Sequence, residues 1–449
     1  MNDLTQPRLP KDAVILEEND KVLLLIPSKP DWVTVNKNAA ILLSLCDGNH
    51  SISDIKNLLN DHPYKQEAFD LIEKLEQRSF FSESRRPEFK IRHLKNVHLN
   101  ISDACNLKCL YCYASDRQRP GADNNGTGSH SPDSHSPDSH GNDNNSLNHK
   151  ALLSLSDYHN LIDEIYDFSP NIAITITGGE PLLNKDAFKI GEYCKNKGFY
   201  VYILTNGTFI DKNNIEKVKA SFDHVKISID SWNEKIHDHL RGPGAYAKVV
   251  NSANLLEEYQ VEFTVATTLT SYNLVDIQQL VDKFGAKLTF QPLFCAGDGK
   301  NIFDKYRLSG HDYYYALKSL NNVQPFSDIY GYLEQQRNNP SPRCAVGDSE
   351  ISVSAYGDVY PCHMLHHKQF YSGNIKEDSF KNIYLNSSVL QDVRKLSIST
   401  REVCSACPIR FLCCGGCWAR SFFEHGHLNI QDSFCDYELL AIKDALLTS

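Results

Sequence analysis

The stretch VHLNISDACNLKCLYC, residues 97–112, joins a short apolar run directly to three closely spaced cysteines. Its first part, VHLNIS (97–102), has the composition of a buried β-strand. Cys105, Cys109 and Cys112 follow with the spacing Cys-x3-Cys-x2-Cys. Three thiolates at this spacing can hold three irons of a [4Fe–4S] cluster, and they leave the fourth iron without a protein ligand.

Further β-rich runs follow this first strand, and amphipathic stretches separate them. Strands that alternate with helices indicate a parallel sheet. We therefore expect an α/β domain over residues 91–295, built as a partial (β/α)6 TIM-like barrel with its functional groups at the carboxyl ends of the strands. The further runs are IAITIT (172–177), VYILTN (201–206), VKISID (225–230), FTVATT (263–268) and LTFQPL (288–293).

The segment 117–150 interrupts the barrel pattern and is almost free of apolar residues. It contains the repeat SHSPDSHSPDSH and cannot bury enough surface to order itself, so we predict a disordered insertion. A bridging region over 296–340 follows the barrel. The last part, 341–449, holds eight of the fourteen cysteines and is expected to be a compact domain held together by metal.

Composition narrows the class of protein. The 449 residues are 41% hydrophobic and carry a net charge of −10, which is ordinary for a globular chain and argues against nucleic acid as a partner. The start lacks the features of a secretory signal, and apolar runs of membrane-spanning length are missing, so we expect a cytoplasmic protein without membrane contact. In that compartment clustered cysteines indicate metal ligands or catalysts.

The motif Thr-Gly-Gly-Glu-Pro at 177–181 ends the second strand. Together with the first cysteine group it resembles the radical S-adenosylmethionine (SAM) enzymes, in which SAM chelates the open iron and is cleaved by one electron to a 5′-deoxyadenosyl radical. The resemblance implies a SAM site. Gly178, Gly179 and Glu180 would bind the amino group, and Tyr111 would lie near the adenine. Polar contacts to the ribose and methionine would come from Asn206, Ser228 and Asp230, and a carboxylate partner from Arg241.

A zinc site is the alternative for the first cysteine group. Zinc normally takes four nitrogen or sulfur ligands, and it would leave the Gly-Gly-Glu-Pro motif unexplained. Cys295 ends the last strand and faces the predicted site, either as a cluster or substrate contact or as a plain buried thiol. Cys46 and Cys194 are expected in the core, and Cys414 has no assigned role.

The second cysteine group resembles the SPASM domain of radical SAM enzymes that modify peptides and proteins. The resemblance implies two auxiliary [4Fe–4S] clusters, so that the protein would hold three in all. The first set of ligands would be Cys404, Cys407, Cys413 and Cys435. The second would be Cys344, Cys362 and Cys417, with a fourth ligand that the motif does not give. Gly357 fits a tight hairpin. A structural zinc ribbon over Cys404–Cys417 is the alternative.

The N-terminal part, residues 1–90, reads as three strands followed by three helices, which is a winged-helix-like α+β domain. It resembles the RiPP recognition element, the PqqD-like fold. The resemblance implies that the leader of a precursor peptide adds as a strand to an exposed sheet edge, with its side chains in a groove beside the third helix. A generic winged-helix domain that binds DNA or packs on the barrel is the alternative.

These features predict a radical SAM maturase that installs an oxidative thioether or carbon–carbon cross-link in a ribosomally made precursor peptide. Flavodoxin or ferredoxin would supply electrons. The catalytic base is not identified, and His363, Tyr360 and Asp230 are guesses. An anaerobic sulfatase-maturing enzyme, which forms formylglycine, is the first alternative. That family usually lacks the N-terminal domain and has aspartate at the position of His363. A non-enzymatic, zinc-bound peptide-binding protein is the second.

Overall fold

The computed structural model describes residues 5–81, 93–118, 151–321 and 327–448. The predicted disordered insertion lies outside the described residues except at its first two positions. None of the helices in the described ranges has the length and apolar character needed to cross a bilayer.

The N-terminal domain is an antiparallel sheet of order β1-β2-β3 followed by three helices. Asn36 begins the first helix, because its side chain accepts a hydrogen bond from the Ala39 N–H at 2.7 Å. Ser51 and Asp54 form a reciprocal capping box at the second helix. The elements are β1 Val14–Glu18, β2 Lys21–Ile26, β3 Asp31–Asn36, α1 Lys37–Leu45, α2 Ile52–Leu58 and α3 Lys65–Gln77.

Both faces of this small sheet are covered, which explains the apolar run of β2. Side chains alternate along a strand. Leu24 and Ile26 pack with residues of the domain's own helices. Leu23 and Leu25, on the opposite face, pack with residues from the C-terminal part of the chain. The domain is therefore held against the rest of the molecule by its sheet.

The central domain confirms the partial (β/α)6 barrel. Six strands pair in parallel in the order β4-β5-β6-β7-β8-β9, with helices between them. The strands are β4 Asn96–Ser102, β5 Ala173–Gly178, β6 Tyr200–Thr205, β7 His224–Ser228, β8 Phe263–Leu269 and β9 Leu288–Pro292. The helices are α4 Leu155–Phe168, α5 Ala187–Lys197, α6 Ile215–Ser221, α7 Glu234–Arg241, α8 Ala245–Glu258 and α9 Ile277–Phe284.

The barrel sheet continues into the C-terminal domain, which the sequence did not predict. Strand β10, Glu350–Val353, pairs in parallel with β4, so that Ser352 lies opposite His98. Strand β11, Val359–Tyr360, returns antiparallel to β10. Gly357 lies in the connecting turn with φ +88°, which confirms the predicted hairpin. The C-terminal domain thus shares a sheet with the barrel.

The predicted bridging region contains three helices, and six more belong to the C-terminal domain. The bridging helices are α10 Gly299–Tyr306, α11 Gly310–Lys318 and α12 Ser327–Asn338. The others are α13 Phe380–Asn386, α14 Ser388–Lys395, α15 Glu402–Ala406, α16 Arg410–Cys413, α17 Trp418–His425 and α18 Cys435–Thr448.

The N-terminal domain packs against helices α12 and α18. The Thr34 hydroxyl donates to the Leu446 carbonyl at 2.5 Å. The guanidinium of Arg337 lies 3.4 Å from the centroid of the Trp32 ring. The N-terminal domain therefore packs on the C-terminal helices, whereas the alternative had it packing on the barrel.

Candidate functional site

The first cysteine group lies in the loop after β4, at the carboxyl end of the barrel strands. The Cys112 N–H donates to the Cys109 carbonyl at 3.2 Å, and Cys105 and Cys112 both lie near enough to the Cys109 thiol to raise its pKa. Cys109 packs in an apolar group with Tyr111 and Cys295. The structure therefore brings the three predicted cluster ligands together and places Cys295 beside them.

Two glycines of the Gly-Gly-Glu-Pro motif hold the cysteine loop from one side. The Gly179 N–H donates to the Ser102 carbonyl at 2.6 Å, and the Glu180 N–H donates to the Ala104 carbonyl at 2.8 Å. A Cβ at Gly178 would lie 2.2 Å from the Ser102 oxygen, and one at Gly179 would lie 2.5 Å from the Ala104 oxygen. Glycine is thus required here for the approach of one backbone to another.

A third glycine closes the other side of the cysteine loop. Gly297, just after β9, has φ +54°, and a Cβ there would lie 2.2 Å from the Cys112 oxygen. The next residue, Asp298, donates its N–H to the same oxygen at 2.9 Å. The Leu110 N–H bonds to the Leu240 carbonyl, also at 2.9 Å. The loops after β5 and β9 and the end of α7 therefore fix the cysteine backbone, and sequence reasoning missed Gly297.

Glu180 is fully buried, and its carboxylate is bonded within the protein. It accepts from the Thr205 hydroxyl at 2.7 Å and from the Asn206 N–H at 2.8 Å, and from the Leu182 N–H at 3.0 Å. Burial raises the pKa of Glu180, and these bonds oppose that rise. The side chain predicted to meet the SAM amino group therefore also ties the motif to the end of β6.

Asp230 and Arg241 form a buried ion pair, which differs from the prediction for Arg241. The guanidinium donates from Nε at 2.6 Å and from Nη2 at 3.2 Å to the Asp230 carboxylate. The Tyr111 hydroxyl and the Thr268 N–H donate to the same carboxylate. Burial opposes ionisation of Asp230, but the charge of Arg241 and these bonds hold its pKa below the usual value.

The Asp230–Arg241 pair affects two predictions: that Arg241 binds the SAM carboxylate, and that Asp230 is the catalytic base. Arg241 has a carboxylate partner within the chain, so the SAM carboxylate could reach it only in competition with Asp230. Asp230 is fully buried and bonded on both oxygens, which makes it unsuitable as the guessed catalytic base. The sequence places the two residues eleven positions apart and does not show that α7 returns Arg241 onto the end of β7.

The other predicted polar contacts lie at neighbouring strand ends. The Asn206 side chain points toward the cysteine loop, since its Nδ2 lies 3.8 Å from the Cys105 Sγ and donates to the Asn106 Oδ1 at 2.9 Å. Ser228 is the last residue of β7 and is partly buried. The structure therefore joins Asn206 to the cysteines directly and leaves Ser228 at the rim of the barrel.

The cysteine loop fits an iron–sulfur cluster. Burial raises the pKa of the Cys109 thiol to about 12 and also raises the pKa of Cys105. Without a metal these thiols hold their protons, and binding of iron releases them. Three converging sulfur donors in a mostly apolar loop suit a cluster with one open iron better than a closed four-ligand zinc site.

The predicted ligands of one auxiliary cluster line a single pocket. Cys404, Cys407, Cys413 and Cys435 all face it, together with Glu438. Burial raises the pKa of Cys413 and Cys435, and it raises the pKa of Glu438 to about 7. Four converging thiols satisfy the coordination of a [4Fe–4S] cluster.

The three cysteines of the other predicted auxiliary set also converge. Cys344, Cys362 and Cys417 pack against one apolar cluster of the C-terminal domain. Burial is the first cause of the raised pKa of Cys362, and the charges of Glu350, Cys417 and Cys344 add to it. The structure therefore groups this set as predicted and adds a carboxylate beside it.

Two buried arginines that the sequence analysis missed fix this region. Arg420 pairs with Asp432 at 2.6 and 2.8 Å, and the same aspartate accepts from the Cys417 N–H at 2.7 Å. Arg401 lies over the Trp418 ring at 3.7 Å and donates to the Gly415 carbonyl at 2.8 Å. Both hold the Cys-Gly-Gly-Cys turn in place.

The remaining cysteines lie largely where expected. Cys46 and Cys194 are buried in apolar clusters. Cys414 has φ +56°, and its thiol lies 3.4 Å from the Gln336 Oε1 and from the Ser341 carbonyl. This thiol therefore links the cluster-binding turn to α12.

Comparison with known proteins identifies two of the domains. Residues 99–284 match the model of the radical SAM superfamily, and residues 344–408 match that of SPASM, an iron–sulfur cluster-binding domain. The AdoMet-dependent heme synthase of Methanosarcina barkeri is 27% identical over 75% of this chain and 95% of its own. The antilisterial bacteriocin subtilosin biosynthesis protein AlbA of Bacillus subtilis is 26% identical over 71% of this chain and 66% of its own.

Two solved structures share the fold. The structure of anSMEcpe with bound AdoMet matches with a TM-score of 0.60 at 20% identity, over 79% of this chain and 97% of its own. SuiB of Streptococcus suis bound to S-adenosylmethionine matches with a TM-score of 0.56 at 16% identity, over 95% of this chain and 99% of its own.

The chain is therefore an enzyme that carries a radical SAM domain and a SPASM domain, and its cofactors are SAM and [4Fe–4S] clusters. This confirms the predicted barrel, C-terminal domain and cofactors. The SPASM match ends before Cys413, Cys417 and Cys435. The assignment of these three rests on their spacing, on the pocket that Cys413 and Cys435 line, and on the apolar cluster against which Cys417 packs. Which residue binds which cofactor stays a prediction.

Replacing Gly297 by alanine should disrupt the cysteine loop. The left-handed backbone costs about 1–2 kcal/mol for alanine, and the clash with the Cys112 oxygen adds about 1–3 kcal/mol. Gly198→Ala is the matched control, because Gly198 has φ +97° but open space around it. Iron analysis and urea unfolding should show Gly297→Ala less stable and short of one cluster, with Gly198→Ala fully loaded. Equal iron contents would contradict the structural role given to Gly297.

Proposed function

We propose that this enzyme modifies a ribosomally made precursor peptide and forms an oxidative thioether or carbon–carbon cross-link in it. The observation that supports this most is the N-terminal domain packed beside a radical SAM and SPASM pair. A match over 95% of the chain must include most of that domain, and SuiB has also been solved bound to the precursor peptide SuiA. AlbA takes part in bacteriocin biosynthesis.

In this proposal Cys105, Cys109 and Cys112 hold the SAM-binding cluster. When bound, the cluster and SAM supply one-electron cleavage of SAM to a 5′-deoxyadenosyl radical, with electrons from a flavodoxin or ferredoxin. The Asn206 amide contributes a weak N–H···S bond to Cys105. The apolar group around Cys109, which includes Leu240 and Phe303, excludes water from the thiol.

The polar residues at the strand ends position SAM. Gly178 and Gly179 offer backbone close to the cysteine loop, and Glu180 holds that backbone by its bonds to the end of β6. The Asp230–Arg241 pair fixes the Tyr111 hydroxyl, so the ring that would meet the adenine has one orientation.

The edge strand β1 is proposed as the site of leader-peptide addition. The sheet has two edges, β1 and β3. On β3, Arg78 and Arg337 both donate to the Trp32 carbonyl at 3.1 Å. This backbone carbonyl is therefore already hydrogen-bonded and is not available to accept a bond from an added strand. On β1, half-exposed Ile15 lines a pocket with Leu9, Val22 and Leu43. This groove lies beside α1, whereas the resemblance implied one beside the third helix.

Two other activities fit parts of the chain. The heme synthase match covers 75% of this chain, and the anSMEcpe match covers 79%. SuiB matches most of the N-terminal domain as well. A domain that binds a leader peptide is useful only in an enzyme whose substrate carries a leader. The N-terminal domain therefore favours modification of a precursor peptide over the other two activities. Formylglycine formation remains the second candidate because it uses the same barrel and SPASM domain.

Mass spectrometry of the product distinguishes these activities. The reconstituted enzyme should be incubated with SAM, dithionite and the peptide encoded by a short reading frame beside its gene. A cross-link removes two hydrogens from the peptide and keeps every sulfur, and fragmentation then fails between the linked residues. A product that has exchanged cysteine sulfur for an aldehyde oxygen, or an unchanged peptide alongside SAM cleavage, would contradict the cross-linking proposal.

Replacing Ile15 by aspartate should weaken binding of the same peptide. Ile15 is 51% exposed at the β1 edge, and loss of its apolar contact plus burial of a charge should cost roughly tenfold in affinity. Leu58→Asp is the matched control, since Leu58 is 60% exposed in the same domain but on α2. Fluorescence anisotropy with labelled peptide measures both. Equal affinities of the two variants would rule out the β1 edge.

A further inference from the structure

The cluster proposed at Cys344, Cys362 and Cys417 lacks a fourth cysteine. Three thiolates ligate three irons, and the fourth iron then needs another donor or stays open. His98, Glu350 and His363 lie beside this set, since their donor atoms are within 4.8 Å of one another and the His363 Nδ1 is 3.9 Å from the Cys362 Sγ. These residues come from the first barrel strand, from β10 and from the turn after β11.

We infer that the Glu350 carboxylate is the fourth protein ligand of this auxiliary cluster. The inference rests on the proposed assignment of the three cysteines. One iron would then have an oxygen ligand, whereas the other three have sulfur ligands from cysteine. The ligand would also connect the cluster to β10, the strand that pairs with the barrel.

The backbone brings Glu350 to the cysteines. Its N–H donates to the Ala345 carbonyl at 3.2 Å, so the start of β10 is bonded to the residue after Cys344. Its charge acts on the thiols of both Cys344 and Cys362. The side chain is 36% exposed although the next strand residues are buried, so the carboxylate is not enclosed by protein atoms.

The two histidines orient the carboxylate. His98 Nε2 lies 3.5 Å from the Glu350 Oε2, and the His98 and His363 rings are 4.4 Å apart. His98 is 6% exposed, and its Nε2 lies 3.0 Å from the Asn96 amide as well. His98 is therefore a positioning residue on the barrel strand, and its link to Glu350 joins the barrel to the cluster site.

Glu350 fits the fourth position better than either histidine. His363 follows Cys362 directly and has its Nδ1 3.9 Å from that sulfur. Glu350 lies between two of the ligands, because its N–H bonds to the residue after Cys344 and its carboxylate lies within 4.8 Å of a His363 ring nitrogen. His98 is on barrel strand β4, and its Nε2 faces the Glu350 carboxylate at 3.5 Å. Carboxylate oxygen is a hard donor, and its field at one iron should lower the reduction potential of the cluster relative to an open site.

The test uses reconstituted full-length protein with Cys105, Cys109 and Cys112 replaced by alanine, so that only auxiliary clusters contribute. Reductive titration followed by EPR should give two cluster signals. Glu350→Ala should change the reduction equilibrium of one of them at least tenfold, which is about 59 mV for one electron, and should let added cyanide alter its g values. Glu350→Cys should restore insensitivity to cyanide. Glu377→Ala, an exposed carboxylate of the same domain, is the control and should match the parent.

The outcomes distinguish failure of the cysteine assignment from failure of Glu350 as the fourth ligand. A parent protein with one auxiliary signal would overturn the cysteine assignment itself. Two signals that are both indifferent to Glu350→Ala would overturn only the ligand. Strong nitrogen coupling in pulsed EPR of histidine-labelled parent protein would make His363 or His98 the ligand instead. Additional zinc in metal analysis, lost in Glu350→Ala, would show a separate cation site and overturn the inference as well.

Discussion

The close packing of the cysteine loop against the segments that follow β5 and β9 is the constraint on which the site depends. The carbonyls of Ser102, Ala104 and Cys112 lie so near Gly178, Gly179 and Gly297 that a single added carbon would overlap them. These contacts set the path of the loop and hence the direction of its three thiols. A cluster with one open iron needs this rigidity, because the protein must hold three sulfurs in place without a fourth.

A second constraint is the sheet that the barrel shares with the C-terminal domain. Strand β10 pairs with β4, the strand that leads into the cysteine loop, so one strand ends at the predicted SAM-cluster ligands and pairs along its side with the C-terminal domain. The N-terminal domain rests on α12 and α18 of the same C-terminal half. The two outer domains are thus anchored to each other and to the barrel strand nearest the chemistry.

Local patterns in the sequence predicted most of the fold. The six barrel strands and the three N-terminal strands depend on neighbouring residues, and each was found. The pairing of β10 with β4 was not, because it joins residues about 250 positions apart and four residues carry too short a pattern. The same limit applies to Arg241, whose partner Asp230 is set by the return of α7, and to Gly297, whose role depends on contact with Cys112. Cysteine spacing predicted which thiols converge, whereas Glu350, a single carboxylate, carried no pattern.

The most direct test of the account follows a hydrogen from substrate to cofactor. The precursor peptide should be prepared with deuterium on its α-carbons and side chains and turned over with unlabelled SAM and dithionite in the reconstituted enzyme. The 5′-deoxyadenosine produced should carry deuterium, because the radical abstracts hydrogen from the peptide held in the barrel. Unlabelled 5′-deoxyadenosine from every labelled position, at normal yield, would show that the peptide is not the substrate of the radical.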